Sequence, residues 1–287
     1  MVFMKRRILY AAVLAAVYLV CFVMLGGYDL AVSDYLTSHI SEPLVFAGAR
    51  FGPFPMFLFP SWCLKTLFGQ SGRKILSRVT SAAAMFPCAY MIVSPSLYTM
   101  MELLLIGLLW VVLWGAVQLI PEPEVSDSNS DMLANIILIC TGAFLMMELM
   151  KLMWGRPRFV AILGDDAQFR EWYSIAGFSL RPDYYRSFPS GHTVCASASI
   201  CMTLLPDLFP EQASRRGWYW GISLLYTAFV AMTRIMAGMH FVTDVMAGFA
   251  LFMLWYWGVV GLYRNDRIHL VSRRKKENGN GQASDET

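Results

Sequence analysis

The sequence predicts an all-α, polytopic transmembrane helical bundle of six to eight spans, and three observations predict it. AVILMFWYC make up 57% of the 287 residues and charged residues only 15%, with a mean hydropathy of +0.50; soluble domains run about 25% charged. The apolar residues come in continuous runs near the length that crosses about 30 Å of hydrocarbon. They do not alternate in segments of about ten, as an outer-membrane barrel requires. The composition excludes a soluble disordered chain, which would be poor in apolar and aromatic residues. It also leaves too few charges to coat a soluble globule.

Met1–Arg7 carries Lys5, Arg6 and Arg7, and the run Ile8–Gly27 follows. A cleaved signal peptide is the competing reading. The run is longer than an h-region of about 7–15 residues and no A-x-A-like site follows it, so it is taken as a retained first span. Further spans are expected at Phe51–Phe68, Val79–Val93, Leu97–Ile120, Met132–Met153, His192–Leu208, Trp218–Arg234 and Val242–Tyr263. The Val79–Val93 run is short and contains Pro87, so a tilted or re-entrant helix is the alternative there. Pro121–Asp131 reads as a polar, acidic linker, and Gly155–Pro189 as a long polar loop with five arginines. From Arg264 the chain is basic, then Gly/Asn/Ser-rich and expected to be disordered after Lys276.

This divides the chain into N-terminal helices and linker (1–131), a catalytic transmembrane core (132–263) and a basic cytoplasmic tail (264–287). The positive-inside rule puts both termini in the cytoplasm, with fifteen of the 23 Lys and Arg on the inner side. The Gly155–Pro189 loop then faces outward, whether six or eight spans cross. A bacterial inner membrane is expected, with a lumenal site in a eukaryotic membrane as the alternative. The six cysteines (Cys21, Cys63, Cys88, Cys140, Cys195, Cys201) lie in or beside apolar runs without a CxxC. They read as small core residues. The short basic tail lacks interleaved aromatics, and nothing points to nucleic acid.

Four polar clusters fall at helix ends on that outer side: Lys151 to Phe159, Ser187 to His192, Thr233-Arg234, and His240 to Asp244. Ionisable groups at such positions are costly and mark function. Ser190-Gly191-His192 opens a helix, where free N–H groups attract an anion; a plain Ser N-cap explains the same residues. His240 and Asp244 are spaced i, i+4 on one helix face. Asp244 could accept the Nδ1–H of His240 and leave Nε2 free to attack, or the two could be a satisfied polar pair. Lys151, Arg156, Arg158 and Arg234 suit phosphate oxygens, with snorkelling to headgroups as the alternative. Arg170, Arg181 and Arg186 read as surface or headgroup contacts. Together, two histidines, a carboxylate and several cations suit phosphoryl transfer. A two-His-one-carboxylate metal site competes, but clustered cations would repel a metal.

The pattern resembles the type 2 phosphatidic acid phosphatase (PAP2) superfamily, whose motifs read K-x6-RP, P-S-G-H and S-R-x5-H-x3-D. Lys151 and Arg158 fit the first, which leaves Arg156 in the spacer. Pro189-Ser190-Gly191-His192 is the second unchanged. Thr233-Arg234, His240 and Asp244 fit the third. Phe159 stands in place of the usual proline and Thr233 in place of serine; neither change removes a charge. The resemblance implies a PAP2-like core in which His240 is the nucleophile forming a phosphohistidine, Asp244 orients it and His192 is the general acid. It implies that Lys151, Arg158, Ser190, Gly191 and Arg234 bind the substrate phosphate. It also implies no metal and no cofactor. Loss of Arg158 is accordingly expected to cost more activity than loss of Arg156.

The expected function is an integral membrane lipid phosphate phosphatase. Its substrate is a phosphomonoester or pyrophosphate lipid such as phosphatidic acid, phosphatidylglycerophosphate or undecaprenyl pyrophosphate. A lipid phosphotransferase using the same intermediate is one alternative; a non-catalytic transporter or anionic-lipid-binding protein is another, though no paired broken helices in matching halves support it. The expected partners are the bilayer and the lipid. Trp154, Phe159, Phe169, Trp172, Tyr173, Tyr184 and Tyr185 form either an interfacial belt or a gate.

Overall fold

The computed structural model describes residues 2–93, 99–163, 165–180, 182–265 and 270–271, with side chains from residue 12 onward. The expected tail disorder, and the side chains of Lys5, Arg6, Arg7 and Arg181, lie outside the described residues. Among the described residues every regular element is helical. Helices α1 (Val2–Gly26), α2 (Asp29–Thr37), α3 (Glu42–Phe51), α4 (Phe54–Gln70), α5 (Lys74–Val93) and α6 (Met100–Leu119) lead to α7 (Asp127–Trp154). After a long loop come α8 (Gly191–Ser197), a 3-10 stretch (Ala198–Leu204), α9 (Leu205–Leu208), α10 (Arg216–Met236) and α11 (Val242–Arg264).

Each expected span contains a helix, but fewer helices than expected are long and apolar enough to cross a bilayer. Among the described residues four qualify: α5, α6, α11, and α7 with its continuation to Ala161; a fifth counts if Ala12–Gly26 of α1 and α2, bent by 75°, form one span. Three of the expected spans do not meet that length and apolarity, each for a physical reason. Helix α4 has 17 residues, the path from Gly191 to Leu208 is broken by its 3-10 stretch, and α10 carries Arg216, Ser223, Thr227 and Arg234. Helix α5 does span 20 residues despite Pro87. Helices α2 and α3 were not expected at all.

The core forms where α4, α7, α8–α9 and α11 meet, around Cys63, Leu133, Ile136, Ile139, Cys140, Ile200, Leu204 and Phe252. Five of the six cysteines are buried and all six are free, as small core residues should be. Leu14, Val17 and Val20 of α1, with Leu104, Leu108 and Val111 of α6, are exposed. Apolar rows of this kind are surfaces for lipid. The acidic linker is pinned: Trp62 Nε1 donates to Pro121 O (3.0 Å), Gln70 Nε2 to Pro123 O (2.8 Å), and Ser126 Oγ caps α7 by accepting from Asn129 N (3.0 Å). Lys65 Nζ takes up the carbonyls of Gln118 (3.0 Å) and Ile120 (2.8 Å) at the end of α6, groups a helix C-terminus otherwise leaves unmet.

The C-terminal ends of α7 and α10 and the N-terminal ends of α8 and α11 meet at one end of this bundle. Two glycines let backbones approach there. A Cβ on Gly48 would fall 1.9 Å from Thr233 Oγ1, so α3 lies directly on the end of α10. One on Gly248 would fall 2.7 Å from Ser190 O, so α11 lies on the start of α8.

Candidate active site

His240 sits in the turn between α10 and α11 and is 2% exposed. Its Nδ1 is 2.8 Å from the carbonyl oxygen of Ser187. A carbonyl can only accept, so Nδ1 carries the proton and Nε2 keeps its lone pair. The direct bond expected from Asp244 is not made: the nearest Asp244 oxygen is 3.8 Å from Nδ1. Asp244 acts through an intermediary. Ser187 Oγ donates to Asp244 Oδ2 (2.5 Å) while Ser187 O holds the imidazole. Phe241 N also donates to Oδ2 (2.8 Å). Burial pushes His240 down to about 4, opposed by the Asp244 carboxylate and reinforced by Arg158 and Arg234. The ring is therefore neutral around pH 7.

Lys151 lies in the last turn of α7, and a Cβ on Gly191 would stand 2.9 Å from its Nζ, so the lysine reaches the start of α8. Arg158 and Arg234 are 7% and 4% exposed. Arg158 donates through Nη2 to Asp183 (2.7 Å), but the buried Nε atoms of both arginines have no hydrogen-bond partner. Buried guanidinium nitrogens left unpaired are costly, and an anion among them would relieve that cost. Ser190 caps α8 by accepting from Thr193 N (3.4 Å) and Thr193 Oγ1 (3.0 Å), which leaves its own O–H to donate. Both readings of this serine are thus compatible with the structure. His192 Nε2 lies 3.2 Å from Ala49 O. The same reasoning puts a proton on Nε2 and leaves Nδ1 as the nitrogen without a partner. Thr233 turns its hydroxyl back onto Val230 O (2.7 Å).

Arg156 is not spacer. It is fully buried and every nitrogen points inward: Nε to Arg170 O (2.7 Å), Nη1 to Thr243 Oγ1 (2.8 Å) and Asp244 Oδ1 (2.7 Å), Nη2 to Asp29 Oδ2 (2.8 Å). Its guanidinium also lies over Phe241, 4.3 Å from the ring centroid, a cation–π distance. Asp29 is 127 positions away in sequence, so no local spacing signals the pair. Arg186 departs from a simple surface role, since it pairs with Glu148 and is half-buried.

The loop aromatics divide. Trp154 stacks on Phe188 (4.9 Å between centroids) and Trp172 packs edge-on against Phe22 (4.7 Å). Phe159 and Phe169 pack against Phe241 (6.2 and 5.3 Å). Phe159 and Phe169 join Ile162 and Phe241 in a small core under the loop, while Trp154 and Trp172 are half-buried. Phe159 supplies apolar area where the family motif has proline. Tyr173, Tyr184 and Tyr185 are exposed.

A neutral imidazole with a bare nitrogen, ringed by cations with unspent N–H groups, is the equipment of a phosphoryl-transfer enzyme. Residues 132–268 match the family model of the PAP2 superfamily. Phosphatidylglycerophosphatase B of Bacillus subtilis is 29% identical over 149 residues, covering 47% of this chain and 68% of the relative. Lipid A 1-phosphatase of Porphyromonas gingivalis is 33% identical over 106 residues, covering 35% of this chain and 23% of the relative. No solved structure matches the chain at a significant level. The chain is an enzyme of the phosphatase class, and its apolar helices and lipid-phosphatase relatives point to a membrane protein.

Proposed function

We propose that this protein hydrolyses a lipid phosphate through a phosphohistidine on His240. The observation that carries the reading is the Ser187 carbonyl, which accepts a hydrogen bond from Nδ1–H at 2.8 Å and leaves Nε2 with its lone pair. Nε2 attacks phosphorus while Lys151, Arg158, Arg234 and the Ser190–Gly191 turn hold the nonbridging oxygens. The P–O bond to the alcohol breaks and the leaving oxygen takes the Nδ1 proton of His192 in its imidazolium form, whose Nε2–H stays on the Ala49 carbonyl. Water then attacks phosphorus, the N–P bond breaks, His192 recovers the proton, and inorganic phosphate leaves. The side chains assigned here need no metal for these steps. The relatives' names favour a phosphorylated glycerolipid or lipid A headgroup as substrate. In this reading the site opens on the outer face of a bacterial inner membrane, with both termini in the cytoplasm.

The test is inorganic phosphate release by the detergent-purified protein, in EDTA, from a panel of lipid phosphates. Wild type is expected to release phosphate and His240→Ala to lose at least about 10⁴-fold in rate. Wild-type turnover by His240→Ala would end the phosphohistidine mechanism. Turnover that appears only when an acceptor lipid is added would make the enzyme a phosphotransferase.

A further inference from the structure

We infer that Asp29 and Arg156 are positioning residues of this active site, and that Asp29 brings α2, outside the family-matched segment, into the catalytic unit. The inference rests on His240 as nucleophile. Arg156 cannot serve the phosphate, because each of its three nitrogens already donates to a protein oxygen within 2.8 Å. What it holds is Asp244, at Oδ1, opposite the oxygen that Ser187 engages. Asp29 holds Arg156 in turn. It also accepts from the backbone N of Thr243 (3.0 Å) and from the Thr243 hydroxyl. Thr243 N is one of the donors that the first turn of α11 leaves unmet, so Asp29 secures the backbone that carries Asp244 as well as its charge partner. All three ionised side chains are fully shielded from solvent. Loss of the guanidinium leaves two buried carboxylates without a counter-ion, and loss of Asp29 frees the end of Arg156 that it anchors.

The path to the nucleophile's ring is continuous: Asp29, Arg156, Asp244, Ser187 and His240 Nδ1, across the imidazole from the reacting Nε2. The 75° bend between α1 and α2 places Asp29 on it. Misplacing a reacting group by about 1 Å can cost on the order of 100-fold in rate, so the clamp governs turnover rather than phosphate affinity.

The test compares Asp29→Asn and Arg156→Lys with wild type in full-length protein purified in detergent. It measures kcat, KM, inhibition by inorganic phosphate, and thermal midpoint. Both variants are expected to lose about 10- to 100-fold in kcat while KM and the phosphate inhibition constant stay within roughly threefold, whereas Asp29→Glu recovers part of kcat. A folded Asp29→Asn protein with wild-type kcat would overturn the inference and leave the pair a fold clamp. If Asp29→Asn does not fold, Thr243→Val removes one hydrogen bond from each of Asp29 and Arg156. A several-fold fall in its kcat supports the clamp; unchanged kcat overturns it. His240→Ala run alongside separates the two ideas, since activity in that variant refutes the mechanism whatever the Asp29 variants do.

Discussion

Arg156 and Arg158 stand two residues apart and face opposite ways out of the same turn. Arg158 keeps a buried nitrogen unspent and feels the charges of Lys151 and Arg234. Arg156 looks into the protein with all its nitrogens spent on Asp29, Asp244, Thr243 and the Arg170 carbonyl. The front of the site is thus a set of cations waiting for an anion, and the rear is a closed set of charges that need none. The difference separates binding from positioning, and it revises the expectation that Arg156 matters less than Arg158.

The comparison can be broken by a pair of alanine substitutions. Removing one partner from a buried charge cluster costs about 3–5 kcal/mol, so Arg156→Ala should lower the thermal midpoint sharply and lose most activity with it. Arg158→Ala should melt near wild type yet lose about 10²–10³-fold in kcat/KM, in line with loss of one transition-state donor. Equal melting midpoints, measured in the same detergent, would erase the front–rear distinction.

A pH series sharpens it next. His240 must be neutral to attack, and its value of about 4 puts the acid limb of kcat/KM near pH 4. An unperturbed histidine would put it near 6.5. Because the folded value lies below the unfolded one, the stability tied to this histidine is complete above about pH 6.5 and is lost as pH falls toward 4. A single limb at pH 6.5 in initial rates would mean that His240 is not held as described.

The smallest expected effect is at the rim. Asp183, largely exposed, pairs with Arg158 at 2.7 Å, and exposed pairs are worth about 0–1 kcal/mol. Asp183→Asn should therefore lower KM by no more than about fivefold and leave kcat unchanged. A rise in KM would assign Asp183 a supporting part at the front.

Much of the front was legible in the sequence. Lys151, Arg158, Ser190, His192, Arg234, His240 and Asp244 were picked out by motif spacing, and the structure brings them to one end of the bundle. The rear was not legible, for reasons of distance and of chemistry. Asp29 reaches Arg156 across 127 positions, from a short helix that no long apolar run announces. Ser187 works partly through its backbone carbonyl, which no residue type encodes. The i, i+4 spacing placed Asp244 near His240 correctly. Spacing could not tell that a serine would stand between them, because both Asp244 oxygens are taken by other donors. Apolar run length found helices, while the 3-10 break at Ala198–Leu204 left no trace in hydropathy.

The long contact between α7 and α11 has a bearing on traffic. Arg156 ties to Asp244 at one end (2.7 Å), Trp255 Nε1 to Leu138 O midway (3.1 Å), and the Tyr263 hydroxyl to Ser128 at the other (3.2 Å to its Oγ). Beyond the helix, Val271 N adds a bond to Asp131 Oδ1 (2.6 Å). A seam riveted at top, middle and bottom is a wall and not a door. On the proposed function, a lipid arriving sideways would enter elsewhere than between these two helices.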